Sequence, residues 1–405
     1  MPWNERSILS ERLSFISDFD RKEASIAELC RRYGISRKTG YKWIERYESE
    51  GPRGLEDRSR APHSHPNEVA EATAAAVLDL RRRHMTWGPK KLRAWLEARH
   101  CDQRWPAEST IGELLQRHGL AVRRRFRARA PTGGALNPCL AANDVWGVDF
   151  KGWFRTGDGQ RCDPFTLSDL HTRYVLRLQA VERMDAGEIW PLFEAAFREF
   201  GLPRLVRSDN GSPFGSVGVG GLTPLAVKLV KAGVTPERIA PGKPQQNGRH
   251  ERFHWTLELE TAKPPAATRR AQQGRFDRFR REFNEERPHE ALGQATPASR
   301  YAPSPRAWCG KLHEPEYPEG CIVRRVRPNG EIRWNGGCFY LGQVIAGEPV
   351  GIDETQDGHW HVCFGPVPLG SITPEGKFLR SAAGACPRCG QQLPSMEKSV
   401  THVLG

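Results

Sequence analysis

The feature that most constrains this chain is an aspartate placed inside an apolar strand. In Val145-Trp-Gly-Val-Asp-Phe150, strand alternation puts Trp146, Val148 and Phe150 on one face and Val145, Gly147 and Asp149 on the other. Aspartate is a poor strand residue, so its presence there asks for a reason. A second acid, Asp209, follows another short apolar strand in the segment LVRSDNGSPF. If the two strands are neighbours, both carboxylates meet at one sheet edge, where two like charges are costly without a cation. Glu251 opens a helix after the polar loop PGKPQQNGRH and can bring a third carboxylate from a separate element. Lys243 in that loop is a candidate DNA contact. Three oxygen donors suit Mg²⁺ or Mn²⁺ better than zinc. Two such ions about 4 Å apart can activate an attacking oxygen and stabilise a leaving one in an in-line phosphoryl displacement. Taken singly, Asp209-Asn-Gly reads equally as a turn, and Glu251 as an acid favoured at a helix start.

The remainder of the chain must accommodate this site. With 405 residues, two or more domains are expected. Lys and Arg outnumber Asp and Glu by 13, and most of that excess lies in residues 1–130, which hold 27 basic against 18 acidic side chains. A basic front joined to a nearly balanced remainder suits a module that grips a phosphate backbone, attached to one doing something else. The ten cysteines are scattered, which points to reduced thiols and not a disulfide framework. No apolar run is long enough to cross a bilayer, and the first residues, MPWNERSILSER, are charged where a signal peptide is apolar. A cytoplasmic protein is expected.

Residues 23–47 place Ile26, Leu29, Cys30, Ile35, Tyr41 and Ile44 at helical spacings around a Tyr33-Gly34 break, which predicts two short helices and a tight turn. Ser36 is a good N-cap for the second helix, whose outer face then offers Arg37, Lys38, Lys42 and Arg46 to a DNA groove. A helix-turn-helix domain over 1–52 follows, then a linker over 53–67 in a stretch rich in Gly, Pro, Ser and charge. A second helical unit over 68–130 has helices expected at 68–84, 88–100 and 108–118 and ends in a basic arm with Arg123, Arg124 and Arg125.

From about residue 143 the pattern becomes strand-like. Two strands are predicted across 165–181, a helix across 184–201 ending at Gly201, a strand from Pro203, a helix from near Asn247 and another at 275–285. That order describes an α/β core over 138–303. Beyond it, short apolar segments around residues 321–326, 331–334, 338–341, 350–352 and 360–364 alternate with turns, and a small β-barrel over 315–380 is the expected closure. Residues 381–405 read as a tail, and no repeat of solenoid period is present.

The motifs WGVDFKGWF around Asp149, RSDNGSPF around Asp209, PGKPQQNGRHERFHWTLE around Glu251 and FNEERPHEALGQATPASRY at 283–301 resemble those of insertion-sequence transposases with a retroviral-integrase-like core. The resemblance covers most of the chain. It implies a multidomain α/β protein with a ribonuclease H-like core, and a D-D-E triad of Asp149, Asp209 and Glu251 holding two Mg²⁺ or Mn²⁺ ions. The implied activity is cleavage at the ends of a mobile element and joining of the 3′-OH ends to target DNA. The implied partners are double-stranded DNA and further copies of the chain. Two features depart from the family pattern. Asp209 and Glu251 are 42 positions apart, lengthened by the insert GSVGVGG at 215–221, and Glu258 stands where relatives commonly carry a basic residue facing DNA.

Other readings attach to the same residues. His250-Glu251-Arg-Phe-His254 matches the H-E-x-x-H pattern of zinc metallopeptidases, which needs both histidines on one helical face and the glutamate as base. A catalytically inactive DNA-binding regulator derived from a transposase is the third possibility. Cys386-Pro-Arg-Cys389 is a single C-x-x-C with no matched second pair, read as free thiols in the tail or as half of a zinc site. His359, His361 and Cys363 alternate along a strand and are expected on the barrel face.

Overall fold

Helix α1 (Ile8–Asp20), α2 (Ile26–Arg32) and α3 (Arg37–Glu50) build the N-terminal unit, which spans Met1–Val69. The structure is a computed structural model that describes residues 8–58, 69–121 and 136–381. Ser36 caps α3 as expected, its side chain accepting from the Thr39 amide at 3.2 Å. Leu29, Cys30 and Ile44 pack with Phe15, Ile16, Trp43 and Leu55. Tyr41, expected to point inward, is 57% exposed, and Trp43 takes the buried position on α3. α3 and α2 approach closely because residue 40 is glycine: a Cβ there would lie 2.5 Å from Cys30 Sγ. Residues 53–58, expected to open the linker, continue this fold instead. Gly51–Leu55 form a 3-10 turn, Leu55 is buried, and Arg12 donates to the Leu55 carbonyl at 2.7 Å and to Asp57 at 2.8 Å.

The second unit spans Ala70–Gly405 and begins with α4 (Glu71–Arg83), α5 (Pro89–Arg99) and α6 (Glu108–Arg117), each within a few residues of its expected bounds. Val77, Leu80, Trp87, Leu92, Ile111 and Leu115 form their core. Arg81 is buried among them and donates to the carbonyls of Trp87 at 2.6 Å and Leu120 at 2.9 Å, so its charge is fully engaged.

The α/β core follows in the expected order, with additions. Its strands are β1 (Val145–Phe150), β2 (Phe154–Arg155), β3 (Arg161–Asp169), β4 (Val175–Val181), β5 (Leu205–Ser208) and β6 (Thr235–Arg238). β1 is central, antiparallel to β3 and parallel to β5; β4 and β2 pair with β3, and β6 extends the sheet beyond β5. α7 (Ala186–Phe200) and α8 (Pro224–Lys231) pack on one face, where Trp146, Val148, Phe165, Phe193, Phe197 and Leu225 share a core. α9 (Gly248–Leu257), a π-helical turn over Glu258–Ala262 and α10 (Arg269–Glu285) complete it. α10 also closes the free edge of β4. Asn284 accepts from the Val175 amide at 2.8 Å and donates to its carbonyl at 3.0 Å, and Gln273 does the same for Ala180 and Leu178.

The C-terminal region is not a closed barrel. β7 (Ile322–Arg325), β10 (Pro349–Glu354), β11 (Trp360–Phe364), β12 (Val367–Ile372) and β13 (Phe378–Arg380) form an open five-stranded antiparallel sheet, while β8 (Glu331–Trp334) and β9 (Gly337–Tyr340) make a separate hairpin. The physical reason lies in what covers the apolar face. Val350, Ile352, Val362, Phe364 and Leu369 pack with Val219, Leu222, Ala226, Val227 and Val230, so a helix and loop of the α/β core do what barrel closure would have done. The insert at 215–221 forms part of that cover. A Cβ on Gly220 would lie 2.9 Å from Leu369 Cδ2, which the bare glycine avoids. His361 and Cys363 stand on β11, with His361 3.2 Å from the Ser371 hydroxyl; His359 precedes the strand. Residues 123–125, Cys386, Cys389 and the tail beyond 381 lie outside the described residues.

Candidate active site

Asp149 sits near the end of β1, opposite Thr166 of β3. Its strand mates Val145 and Gly147 share its side of the sheet, and this is the side that α9 covers: a Cβ on Gly147 would lie 2.3 Å from His250 Nε2. Glycine at 147 therefore lets the histidine ring reach the strand backbone. Asp149 Oδ1 accepts from the Phe150 amide at 2.8 Å, and Oδ2 accepts from Asn247 Nδ2 at 2.7 Å. Its side chain is only 15% exposed. Burial pushes the Asp149 carboxyl up to about 7; the negative charge of Asp209 adds to the rise and that of Glu251 adds less, against the lowering effect of the two hydrogen bonds.

Asp209 follows β5, the parallel neighbour of β1, and its Oδ1 accepts from the Gly211 amide at 3.1 Å. That bond makes the Asp209-Asn-Gly turn without removing the carboxylate from the sheet edge. Glu251 lies in the first turn of α9 and is exposed. Among the described residues, no lysine or arginine forms an ion pair with Asp149, Asp209 or Glu251. Both of the latter are close enough to raise the Asp149 carboxyl, yet the trio of possible metal ligands whose donor atoms lie within 4.8 Å of one another is different: Asp149, His250 and His254. The two histidines occupy one buried face of α9 at i and i+4 spacing, while Glu251 faces outward from the same turn. Burial holds both imidazoles neutral, His250 at about 4 and His254 at about 3.

Several residues around this site carry no conspicuous sequence signal. Asn247 ties the start of α9 to the Asp149 carboxylate, and its place in the loop before Glu251 is the only hint of that role. Thr166 bridges the Asp149 carbonyl and His254. Glu258 pairs with Lys151 at 3.0 Å and with Lys263 at 2.8 Å, so the acid at the anomalous position has two cations of its own. Lys243 is half-buried at the start of the 3-10 turn that leads into α9. In the N-terminal unit Arg37, Lys38 and Lys42 are exposed on α3 together with Tyr41. Arg46, expected on that open face, is half-buried with its guanidinium 5.2 Å from the Trp43 ring.

Three family models match the chain: a helix-turn-helix domain over residues 11–63, a homeodomain-like domain over 39–115 and an integrase core domain over 232–297. The last contains Glu251 and both histidines but neither aspartate. An uncharacterised 31.7 kDa protein of insertion element IS407 from Burkholderia multivorans is 27% identical over 71% of this chain and 94% of its own length. An uncharacterised 39.2 kDa protein of insertion element IS476 from Xanthomonas euvesicatoria is 26% identical over 58% of this chain and 65% of its own. Among solved structures, the HTLV-2 integrase catalytic core domain in complex with magnesium is 15% identical, with 40% of this chain and 99% of that one covered and a TM-score of 0.30.

Proposed function

We propose, for a chain that belongs with the insertion-sequence transposases having an integrase-like core, that it binds the ends of a mobile element, cleaves them and joins the 3′-OH ends to target DNA. The observation that carries this reading is the company Asp149 keeps. Its carboxyl is desolvated, raised to about 7 with two further acids contributing, and unpaired with any lysine or arginine among the described residues. Such a cluster fits divalent cations, because positive charge is what it lacks. Asp149, Asp209 and Glu251 would hold Mg²⁺ or Mn²⁺, two ions in the reading favoured here, and bound ions there supply activation of the attacking oxygen and stabilisation of the leaving one.

The chain's own residues do the positioning. Asn247 and the Phe150 amide each hold one oxygen of Asp149, which fixes the carboxylate plane. Because Asn247 immediately precedes α9, the same bond sets where Glu251 stands relative to β1. Arg37, Lys38 and Lys42 on α3 grip element DNA, with Lys243 and Arg123, Arg124 and Arg125 as further phosphate contacts. Two ends have to be held together before joining, so the working form is a homo-oligomer. Among the described residues no helix is long and apolar enough to cross a membrane.

The test is purified full-length protein given DNA from either flank of its reading frame, with Mg²⁺ or Mn²⁺. Nicks at the 3′ ends of inverted repeats, followed by strand-joined products, are expected. Tight binding of those ends without nicking or joining defeats the reading and leaves the DNA-binding regulator in its place.

A further inference from the structure

The buried face of α9 carries two histidines for which the three carboxylates have no use. His250 is 3% exposed, and among the described residues neither of its ring nitrogens meets a hydrogen-bond partner. A buried polar group left unpaired in this way calls for an explanation, a missing ion being one. His254, one turn further on, is oriented by Thr166. The Thr166 hydroxyl has a single proton, which it donates to the Asp149 carbonyl oxygen at 3.0 Å. Toward His254 it can therefore only accept, so the ring hydrogen sits on Nε2, 2.9 Å away. Nδ1 is left with a bare lone pair, 3.9 Å from Asp149 Oδ2. A lone pair beside a carboxylate oxygen is repulsive unless a proton or a metal cation lies between them. One nitrogen of each ring and one oxygen of Asp149 lie within 4.8 Å of one another.

We propose that Asp149, His250 and His254 form a site for a zinc-type divalent ion, distinct from the set completed by Asp209 and Glu251. One carboxylate oxygen and two imidazole nitrogens suit Zn²⁺ or Co²⁺, whereas Mg²⁺ takes oxygen donors. Thr166 is the positioning residue, fixing the tautomer that turns the His254 lone pair toward the ion. Asp149 cannot serve both ion types at once, so zinc and magnesium compete for it. That competition alone rests on the function proposed above; the site itself does not.

The experiment uses metal-stripped full-length protein titrated with Co²⁺ and then Zn²⁺ in the absence of DNA. One equivalent of Co²⁺ is expected, with visible d–d absorption, no thiolate-to-cobalt charge-transfer band, and displacement by Zn²⁺. His250→Leu and His254→Asn weaken binding at least about 100-fold, and Thr166→Val, which keeps all three ligands, weakens it about 10-fold or more. Asp209→Asn and Glu251→Gln bind Co²⁺ like the wild type. The proposal is overturned by failure to take up an equivalent, by thiolate bands that place the ion on cysteine, or by undiminished binding in the histidine variants. If those variants do not fold, the Thr166→Val titration decides. Since no DNA is present, a negative result leaves the cleavage reading standing, and a failed cleavage assay leaves this site standing.

Discussion

The sheet edge at Asp149 and the outer face of α3 each gather like charges, but they do so in opposite surroundings. On α3, Arg37, Lys38 and Lys42 are exposed to water, Lys42 with its ammonium 4.5 Å from the Trp43 ring, and their mutual repulsion is screened. At the sheet edge Asp149 is mostly withdrawn from water, and burial together with its acidic neighbours lifts its carboxyl to about 7. The difference teaches that the two clusters ask for different partners. Exposed cations meet a long polyanion at little desolvation cost and gain from releasing its counterions. A desolvated carboxylate demands a compact, concentrated positive charge. A third arrangement sharpens the contrast: on α5 two lysines are spent on the protein itself. Lys91, pushed down to about 7 by burial and by Arg287 and Arg252, donates to the Pro288 carbonyl at 2.5 Å, and Lys90 pairs with Glu290 at 3.2 Å. Basic composition alone does not separate these uses.

The largest effect should come from the acidic cluster. Asp149→Asn, Asp209→Asn and Glu251→Gln are each expected to lower Mg²⁺-dependent end cleavage by at least about 1,000-fold while leaving end binding within about two-fold, because each removes a proposed metal ligand and no proposed groove contact. Substantial cleavage by any of the three in a gel assay would remove that residue from the site.

An intermediate effect tests desolvation directly. The folded-state carboxyl of Asp149 titrates at about 7 against an ordinary 3.8, so the folded protein holds this proton more tightly than the unfolded chain. Its contribution to stability is complete below about pH 4 and is lost as the pH rises through 7. Metal-free Asp149→Asn protein should therefore melt about 5 °C higher than wild type at pH 8, with the gap shrinking as the pH is lowered toward 4. Mg²⁺ or Mn²⁺ should narrow the gap at pH 8 by stabilising only the wild type. A Tm difference that does not depend on pH would mean that Asp149 is not strained by its surroundings.

The smallest effect belongs to the exposed cations. Arg37→Ala and Lys42→Ala should each weaken end binding a few-fold and reduce the slope of log affinity against log salt by about 0.9, with cleavage at saturating protein unchanged. If the slope stays put, α3 does not track phosphates, and the contrast with α5 collapses.

Much of this organisation is legible in the residues themselves. Ser36 before a basic helix announces its own cap, because capping is a local hydrogen bond. Asp149 in an apolar strand marks itself as anomalous, since alternation fixes which face it shares with Gly147. Local rules misplaced Tyr41, however. Helical spacing admits either Tyr41 or Trp43 on the inner face of α3, and the larger indole won the contact with Phe15 and Leu29. The insert at 215–221 reads in sequence only as excess length between two acids, while in the fold it lies under the C-terminal sheet and helps to keep that sheet open.

What the sequence determined by itself is therefore many of the elements, among them α2 to α7 and the first strand of the core, and the anomaly of an acid inside that strand, because periodicity, capping and misplaced charge act over a few residues. The tertiary structure decided what each element packs against. It set the C-terminal strands on α8 instead of on one another, and it turned His250 and His254 inward beside Asp149 while Glu251 faces out. Both outcomes depend on apolar area buried between segments more than 80 residues apart, and no local pattern encodes which of two apolar faces will meet.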